Sequence, residues 1–259
     1  MPPRPDLPPP SCPGPACAPL VRTKGDHRTL AFAAGEVQSD MRLSDPTRLV
    51  LAYCRAIMCF ALFIPRPRHI LMVGLGGGSL AKFCYRHFPQ AQITVLEVRA
   101  DVIALRGQFA VPPDDARLRV VHADAASWLV QFDGSADVIV LDGFDGGGQP
   151  AALGTARFYD HCSRVLADNG VLVANMLSYD PAYAHMRTRL SRAFGERICH
   201  FAGAAGNNRI LFAVKAAPAG HPAARALRVQ QWLAAGNGLA MGWLNRLLAR
   251  GVVAWLARR

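Results

Sequence analysis

Apolar residues in the middle of the chain form short unbroken runs that alternate with amphipathic stretches. Short apolar runs are typical of strands buried on both faces of a parallel sheet, and apolar residues three or four positions apart are typical of helices. The predicted strands are His69–Val73, Gln92–Leu96, Leu118–His122, Ala136–Leu141 and Val171–Asn175. The predicted helices are Ser79–His87, Ala100–Gln108, Ala125–Gln131 and 154–166. Repeated strand–helix units with short loops predict a doubly wound parallel sheet with right-handed crossovers.

Two further strands follow the repeated units. Asn169-Gly170 predicts a turn into the strand Val171–Asn175. After that strand, a predicted helix at 182–194 leads to strands at 197–202 and 209–215. Two antiparallel strands after a parallel sheet are the usual finish of the methyltransferase type of Rossmann fold. The predicted fold class is therefore α/β, with a doubly wound, mostly parallel seven-stranded Rossmann (methyltransferase-like) sheet.

The segment before the sheet has a different pattern. Val21–Met41 alternates loosely between apolar and polar residues and has a turn signal at Ala33–Gly35, which predicts a small β-hairpin. Ser44–Pro46 predicts a helix start, since proline fits the first turn, and Pro65 would end that helix. The first twenty residues contain nine prolines and lack the apolar core of a signal peptide, so they predict a disordered tail.

The chain is therefore divided into four segments. They are a disordered Pro-rich tail (1–20), a hairpin plus helix (21–66), a Rossmann-like catalytic domain (67–215) and a basic amphipathic helical tail (216–259). Gly236–Gly238 would split the last segment into two helices, which carry tryptophans among arginines. Such a surface can lie on a membrane or on a partner. Packing of the apolar face on its own domain is the favoured interpretation.

The charge balance argues against nucleic acid as the main partner. The formal net charge is +11, but residues 216–259 contribute six arginines and no acidic residue. The remaining excess is spread over the body of the chain without a run of basic residues. Apolar stretches are interrupted well before the ~20 residues that a membrane-spanning helix needs, so no span is expected.

Cysteine and histidine usage predicts a cytoplasmic protein without a metal. The seven cysteines are scattered and lack zinc-ligand spacing, which fits free thiols in a reducing compartment. The eight histidines form no HxxxH or His/carboxylate group, and no GxSxG motif indicates a serine nucleophile.

The glycine-rich loop after the first predicted strand is the main chemical signal. The sequence VGLGGGSL covers residues 73–80 and opens a predicted helix. Gly74 allows a sharp turn, Gly76 permits close approach of a ligand, and Gly78 lets the helix pack near the strand. A structural turn would explain the spacing alone, but the strand ends that follow favour a nucleoside site.

Acidic residues follow the next two strands. Glu97 lies where a βαβ nucleotide-binding unit places a carboxylate that accepts hydrogen bonds from both ribose hydroxyls. Asp124 and Ala125 lie in the sequence HADA, where the carboxylate can accept from an adenine amine or cap the following helix. Both alternatives stay open.

Two further carboxylates, Asp142 and Asp145, follow the fourth strand in LDGFDGGGQP. This loop lies at the carboxyl edge of the sheet, where open α/β sheets bind ligands. A neighbouring pair of carboxylates can hold a cation and accept a proton from it. The alternative is a flexible, solvated loop.

These motifs together resemble the spermidine synthase (polyamine aminopropyltransferase) family. The resemblance covers about Gly35 to Lys215, and its motifs occur in the family's order. GEVQ resembles the DGxxQ segment whose glutamine, here Gln38, contacts the nucleoside. VGLGGGSL resembles the glycine loop, LEV the ribose-binding segment and HADA the adenine segment. LDGFD resembles the DSSD loop that binds and deprotonates the amine, and residues 157–175 resemble FYxxxxxxLxxxGxxxxQ.

Three departures accompany the resemblance. The glycine-loop aspartate that holds the aminopropyl ammonium in the family falls on Gly77. The family's Tyr-Gln or Tyr-His pair falls near Ala52-Tyr53, and Gly146 replaces the proline after DSSD. The nucleoside elements are thus kept better than the amine-binding ones.

The resemblance implies transfer of an aminopropyl group from decarboxylated S-adenosylmethionine to a small-molecule amine, with release of methylthioadenosine and no metal. It also implies a possible homodimer. One alternative is a methyltransferase that uses S-adenosylmethionine, for which Gly77 would leave space for the carboxylate-bearing tail. The other is a non-catalytic nucleoside-binding relative.

Overall fold

The computed structural model describes residues 18–32, 37–145, 148–216, 220–235 and 242–258. The strands are Leu20–Lys24 (β1), His27–Ala31 (β2), Val37–Arg42 (β3), His69–Val73 (β4), Gln92–Glu97 (β5), Leu118–His122 (β6), Ala136–Leu141 (β7), Leu166–Leu177 (β8), Ile198–Ala205 (β9) and Asn208–Val214 (β10). The α-helices are Ala52–Ile57 (α1), Ser79–His87 (α2), Ala100–Ala104 (α3), Ala125–Gln131 (α4), Ala156–Val165 (α5), Tyr183–Ala193 (α6), Pro222–Ala235 (α7) and Gly242–Leu256 (α8). Most of the predicted Pro-rich tail, the turn at Ala33–Gly35 and the split at Gly236–Gly238 lie outside the described residues.

The central sheet has seven strands in the order β6-β5-β4-β7-β8-β10-β9. The first five are parallel, and β10 is antiparallel to both β8 and β9. The predicted α/β class with a mostly parallel, methyltransferase-like sheet is confirmed. The prediction that two antiparallel strands close the sheet is confirmed, because β10 pairs antiparallel with β9 and lies between β8 and β9.

Both faces of the sheet are covered, which explains the unbroken apolar runs. In β7, Val138 and Val140 pack in one hydrophobic cluster, whereas Ile139 and Leu141 pack in the cluster on the opposite face. Alternate residues of a strand point to opposite faces, so a strand covered on both sides must be apolar at every position.

The N-terminal segment forms a three-stranded antiparallel sheet, so the predicted hairpin is confirmed as the β2–β3 pair, and the prediction is wrong only in lacking the third strand, β1. A tight turn joins β1 to β2, where Gly25 has a φ of 56°. The Asp26 carboxylate accepts hydrogen bonds from the backbone N–H and the hydroxyl of Ser44, at 2.8 and 2.6 Å. Asp26 therefore fixes the chain that leaves β3.

The predicted helix start at Ser44–Pro46 is also wrong, since α1 begins at Ala52. The residues before it turn at Asp45, whose carbonyl oxygen accepts from the Arg48 N–H at 3.1 Å. The guanidinium of Arg55 then donates to the carbonyl oxygens of Leu49 and Val50. These carbonyl groups therefore bind a side chain instead of helical N–H groups, and a 3₁₀ helix at Met58–Leu62 continues α1.

Other differences concern element ends. The helix predicted over Ala100–Gln108 stops at Ala104. The helix predicted over 154–166 begins at Ala156 after a 3₁₀ turn, Ala151–Gly154. Asn169 lies inside β8 with a φ of 68°, where the register with β7 shifts, so the predicted turn is a bulge within a longer strand.

The two C-terminal helices pack on the sheet through one face. Ala223 and Leu227 of α7 and Ala249, Val252 and Leu256 of α8 belong to the larger hydrophobic cluster. On the outer side, Trp243 and Leu247 of α8 are more than half exposed. No helix of the described residues is both long and apolar enough to cross a membrane.

Candidate active site

The predicted site residues converge at the carboxyl edge of the parallel strands. Gly74 follows β4, Glu97 ends β5, Asp124 follows β6 and Asp142 follows β7. All four line one cavity of about 320 Å³, together with the predicted residues Gln38, Gly76, Gly77, Ala125 and Asp145. Gly78 is the predicted site residue that does not line it.

The glycine loop needs glycine at three positions for different reasons. Gly74, Gly76 and Gly78 all have positive φ, at 98°, 51° and 66°. A Cβ at Gly74 would overlap the backbone carbonyl oxygen of Asp142, and one at Gly78 would overlap Val111. A Cβ at Gly76 would meet nothing within 4 Å, so Gly76 presents bare backbone to the open cavity.

Gly77 is tightly enclosed, unlike Gly76. A Cβ there would lie 2.5 Å from Ser39 Oγ and 2.9 Å from Phe109 Cδ1. Ser39 is buried in β3, and its hydroxyl is 3.3 Å from the Ser79 hydroxyl. A side chain at position 77 would therefore collide with Ser39 and Phe109, and a methionine carboxylate in the part of the cavity beside Gly77 stays a prediction.

Glu97 is buried and held by two backbone groups. Its Oε2 accepts the N–H of Leu75 at 2.9 Å, and its Oε1 accepts the N–H of Arg99 at 2.9 Å. Charge-assisted bonds of this kind fix a carboxylate in one orientation. Each oxygen keeps acceptor capacity, so Glu97 can receive hydroxyl hydrogens from a ligand in the cavity.

Asp124 is the N-cap of α4. Its Oδ1 accepts the Ser127 N–H at 2.8 Å, which confirms the helix-cap alternative. It also lines the cavity beside Ala125, so the adenine contact stays a prediction.

Asp142 is supported by side chains from three other elements. Its Oδ1 accepts from Asn175 Nδ2 of β8 at 2.8 Å, and Asn175 Oδ1 accepts from Asn208 Nδ2 of β10 at 2.9 Å. The Tyr53 hydroxyl of α1 donates to the backbone oxygen of Gln38 at 3.2 Å and lies beside the Asp142 carboxyl. Burial raises the pKa of Asp142 to about 7, although hydrogen bonds from Asn175 and Tyr53 act to lower it. Asp142 therefore changes charge near neutral pH.

Sequence reasoning missed the residues behind Asp142. Asn175 closes a predicted strand, as Glu97 does, so the rule that strand ends carry function could have found it. Asn208 begins β10 and carries no such signal. Tyr53 is visible from the sequence only as a weak match to the family's tyrosine pair.

Asp145 forms an isolated antiparallel bridge with Gly148. Its backbone N–H donates to the Gly148 oxygen at 2.9 Å, and the Gly148 N–H donates back at 3.2 Å. Asp145 lines the smaller cavity together with Asp142, so the two predicted aspartates share one space.

A second cavity, of about 650 Å³, lies on the other side of these aspartates. Five residues line both cavities, namely Gln38, Tyr53, Asp142, Phe144 and Asp145. The second cavity also contains Asp180 and Tyr179, and its described lining has three carboxylates and no lysine or arginine. Such a lining favours a cation.

The fold and these cavities define a Rossmann-type protein in which a glycine loop and several acidic side chains line two adjoining cavities. The model of the spermine/spermidine synthase domain matches residues 50–200. The polyamine aminopropyltransferase of Chromobacterium violaceum is 37% identical over 199 residues, which are 76% of each chain. The chain therefore belongs to the spermine/spermidine synthase family.

Solved structures show the same fold. A probable spermidine synthase from Corynebacterium glutamicum matches 90% of this chain and 91% of its own, with a TM-score of 0.66 and 23% identity. A spermidine synthase in complex with the transition-state analogue AdoDATO matches 77% of this chain and 74% of its own, with a TM-score of 0.60 and 23% identity.

Proposed function

We propose that this protein is a polyamine aminopropyltransferase, which moves the aminopropyl group of decarboxylated S-adenosylmethionine to an amine and releases methylthioadenosine. The observation that carries the proposal is the pair of cavities that meet at Asp142 and Asp145. One has the groups that a nucleoside needs, and the other is acidic. A direct transfer between two bound substrates requires such a junction, because the reacting atoms must lie in contact.

The smaller cavity would hold the adenosyl co-substrate. Glu97 would accept hydrogen bonds from the ribose hydroxyls, and Gly76 would let backbone approach the nucleoside closely. Asp124 and Gln38 would contact the nucleoside further along the cavity. The sulfonium would then lie near Gly74, next to the loop of Asp142.

The larger cavity would hold the acceptor as an ammonium. Asp142 would take one proton, and the freed nitrogen lone pair would attack the methylene carbon bonded to sulfur. As the new C–N bond forms, the C–S bond breaks and its electron pair returns to sulfur, which leaves neutral methylthioadenosine. Asp145 would help Asp142 to hold the positively charged amine. A homodimer and a cytoplasmic location stay predictions from the sequence.

Methyl transfer from S-adenosylmethionine is the less favoured reaction. Its methionine tail would place a carboxylate near Asp142 and Asp145. Among the described residues that line the two cavities, the one arginine or lysine is Arg99, in the smaller cavity. It already forms an ion pair with Asp101 at 2.6 Å. The decarboxylated co-substrate avoids this repulsion.

Calorimetry tests which co-substrate fits. We expect methylthioadenosine to bind at least roughly tenfold more tightly than S-adenosylhomocysteine, because only the second carries a carboxylate into the acidic junction. Glu97→Gln should weaken both ligands, since both contain the ribose. A clear preference for S-adenosylhomocysteine would support methyl transfer instead.

Asp180 is expected to anchor the far end of the acceptor. Its Oδ1 accepts the Ala182 N–H at 2.7 Å, and the residue lines the larger cavity but not the smaller one. Asp180→Asn should raise the KM for a diamine by roughly tenfold and change kcat little, since the lost ion pair lies away from the reacting atoms. Asp168→Asn is the matched control, because Asp168 is 86% exposed at the opposite end of β8. Equal KM values in the two variants would contradict this role.

A further inference from the structure

A third cavity, of about 640 Å³, lies away from the active site, between α2, α8 and the residues that precede α1. We call it the arginine cavity. Its lining includes Arg42, Arg48, Arg55, Arg86 and Arg250, together with His27 and His87. Asp45 is the one acidic residue in its described lining.

Most of these arginines have no acidic partner. Arg42 approaches Asp26 at 4.0 Å, but Arg48, Arg55, Arg86 and Arg250 form no ion pair among the described residues. Arg55 donates to backbone carbonyl oxygens, and Arg86 donates to the Thr47 hydroxyl at 3.2 Å. Five arginines thus face only Asp45 and Asp26 among the described residues, so the cavity keeps a net positive charge.

The arginines also repel one another. Arg55 is partly buried, and burial lowers its pKa; Arg250 and Arg48 lower it further through their charges. A site that collects like charges around an open space stores unfavourable electrostatic energy, which a bound anion relieves. Arginine is the side chain best suited to phosphate oxygens, because its planar guanidinium donates two parallel hydrogen bonds.

The remaining wall of the cavity is apolar. It contains Leu49, Val50, Phe83, Val253 and Ala254. The volume lies in the range of small-molecule sites, which combine an apolar lining with a few charged groups. The five arginines come from β3, α1, α2, α8 and the segment before α1, so a group of linked phosphates offers them more acceptor oxygens than a single phosphate does.

We propose that the arginine cavity binds a polyphosphate group, either free or carried by a nucleoside di- or triphosphate. Arg48 and Arg250 are the main donors to it, and Arg86 and Arg42 add further donors. The apolar wall accommodates the organic part of a nucleotide. This site is separate from the nucleoside cavity and does not depend on the proposed reaction.

The probe for this site is inorganic tripolyphosphate, which has no nucleoside and so does not use the smaller active-site cavity. Calorimetry of the full chain at low ionic strength should give saturable binding. Arg48→Gln and Arg250→Gln should each weaken it by roughly tenfold or more, as expected for a lost charged hydrogen bond. Arg228→Gln is the matched control, since Arg228 is exposed on α7 outside the cavity, and it should change binding less than about twofold.

Thermal unfolding separates binding from a structural role. Without anion, Arg250→Gln should be at least as stable as the parent, because repulsion of Arg55 is removed. With tripolyphosphate, the parent should gain in Tm and Arg250→Gln should not.

ATP is tested on the Glu97→Gln variant, in which the nucleoside cavity is impaired. Binding several-fold tighter than tripolyphosphate would assign the natural source as a nucleotide, and equal binding would assign it as free polyphosphate. No binding of tripolyphosphate to the parent would overturn the proposal. An equal loss of tripolyphosphate binding in Arg228→Gln would also overturn it. Binding of the parent to phosphatidylglycerol vesicles but not to tripolyphosphate would overturn it as well.

Discussion

Asp142→Asn should lose turnover by roughly 10²- to 10⁴-fold, the range expected when a general base is removed. Asparagine has nearly the same size and can still lie beside Tyr53 and Asn175, so the cavity should keep its shape. Methylthioadenosine binding should therefore stay close to that of the parent. The rate is measured as methylthioadenosine release by chromatography, and binding is measured by calorimetry.

The dependence of kcat/KM on pH is a second test of Asp142 as the base. Asp142 has a pKa of about 7 because burial disfavours its charged form. A base must be ionised to act, so kcat/KM should fall about tenfold per pH unit below 7 and level off above it on account of this group. The fall of kcat on the acid side should occur at a lower pH than that of kcat/KM, because a bound ammonium favours the ionised carboxylate and so lowers the pKa of Asp142.

The control for both measurements is Asp160→Asn, an exposed aspartate on α5. Asp160→Asn should keep the parent's rate, and its kcat/KM should still fall below pH 7. Any residual kcat/KM of Asp142→Asn should not show this fall. Parent-like turnover in Asp142→Asn would remove Asp142 from the mechanism.

Gly74→Ala should destabilise the fold far more than Gly76→Ala. At Gly74 an added methyl group overlaps the Asp142 carbonyl oxygen, and a φ of 98° is unfavourable for alanine. Strained backbone and overpacking together cost about 2–6 kcal/mol. At Gly76 the methyl group meets nothing, so only the left-handed φ contributes, about 1–2 kcal/mol.

Urea unfolding of the two variants compares these costs directly. Gly76→Ala should remain folded but bind methylthioadenosine more weakly, since its methyl group enters the cavity. Gly74→Ala should show the larger drop in the unfolding midpoint even without ligand. Similar midpoints would mean that the approach of β4 to β7 at this turn does not require glycine.

Much of the site was predictable because its residues follow a local rule. Glu97, Asp124 and Asp142 lie within two residues of the carboxyl ends of their strands, and parallel strands place these ends at one edge of the sheet. The glycines of the loop are likewise visible, since a sharp strand-to-helix turn needs positive φ. These features depend on neighbours within a few residues, and the sequence displays them.

The N-terminal segment was less predictable. Its three strands are short and only three of their residues are buried, so alternation is weak there. The start of α1 depends on Arg55 binding carbonyl groups that a helix would otherwise use, which capping rules do not anticipate.

The sequence by itself determined the order of the parallel strands along the chain, the glycine turn and the acidic strand ends, because each is set by local periodicity or backbone geometry. Only the tertiary structure decided what surrounds them. Asn175 meets Asp142 across 33 residues, and Ser39 reaches Ser79 beside Gly77 across 40. Contacts over such separations depend on how β3 and β8 pack, and no local pattern encodes that packing.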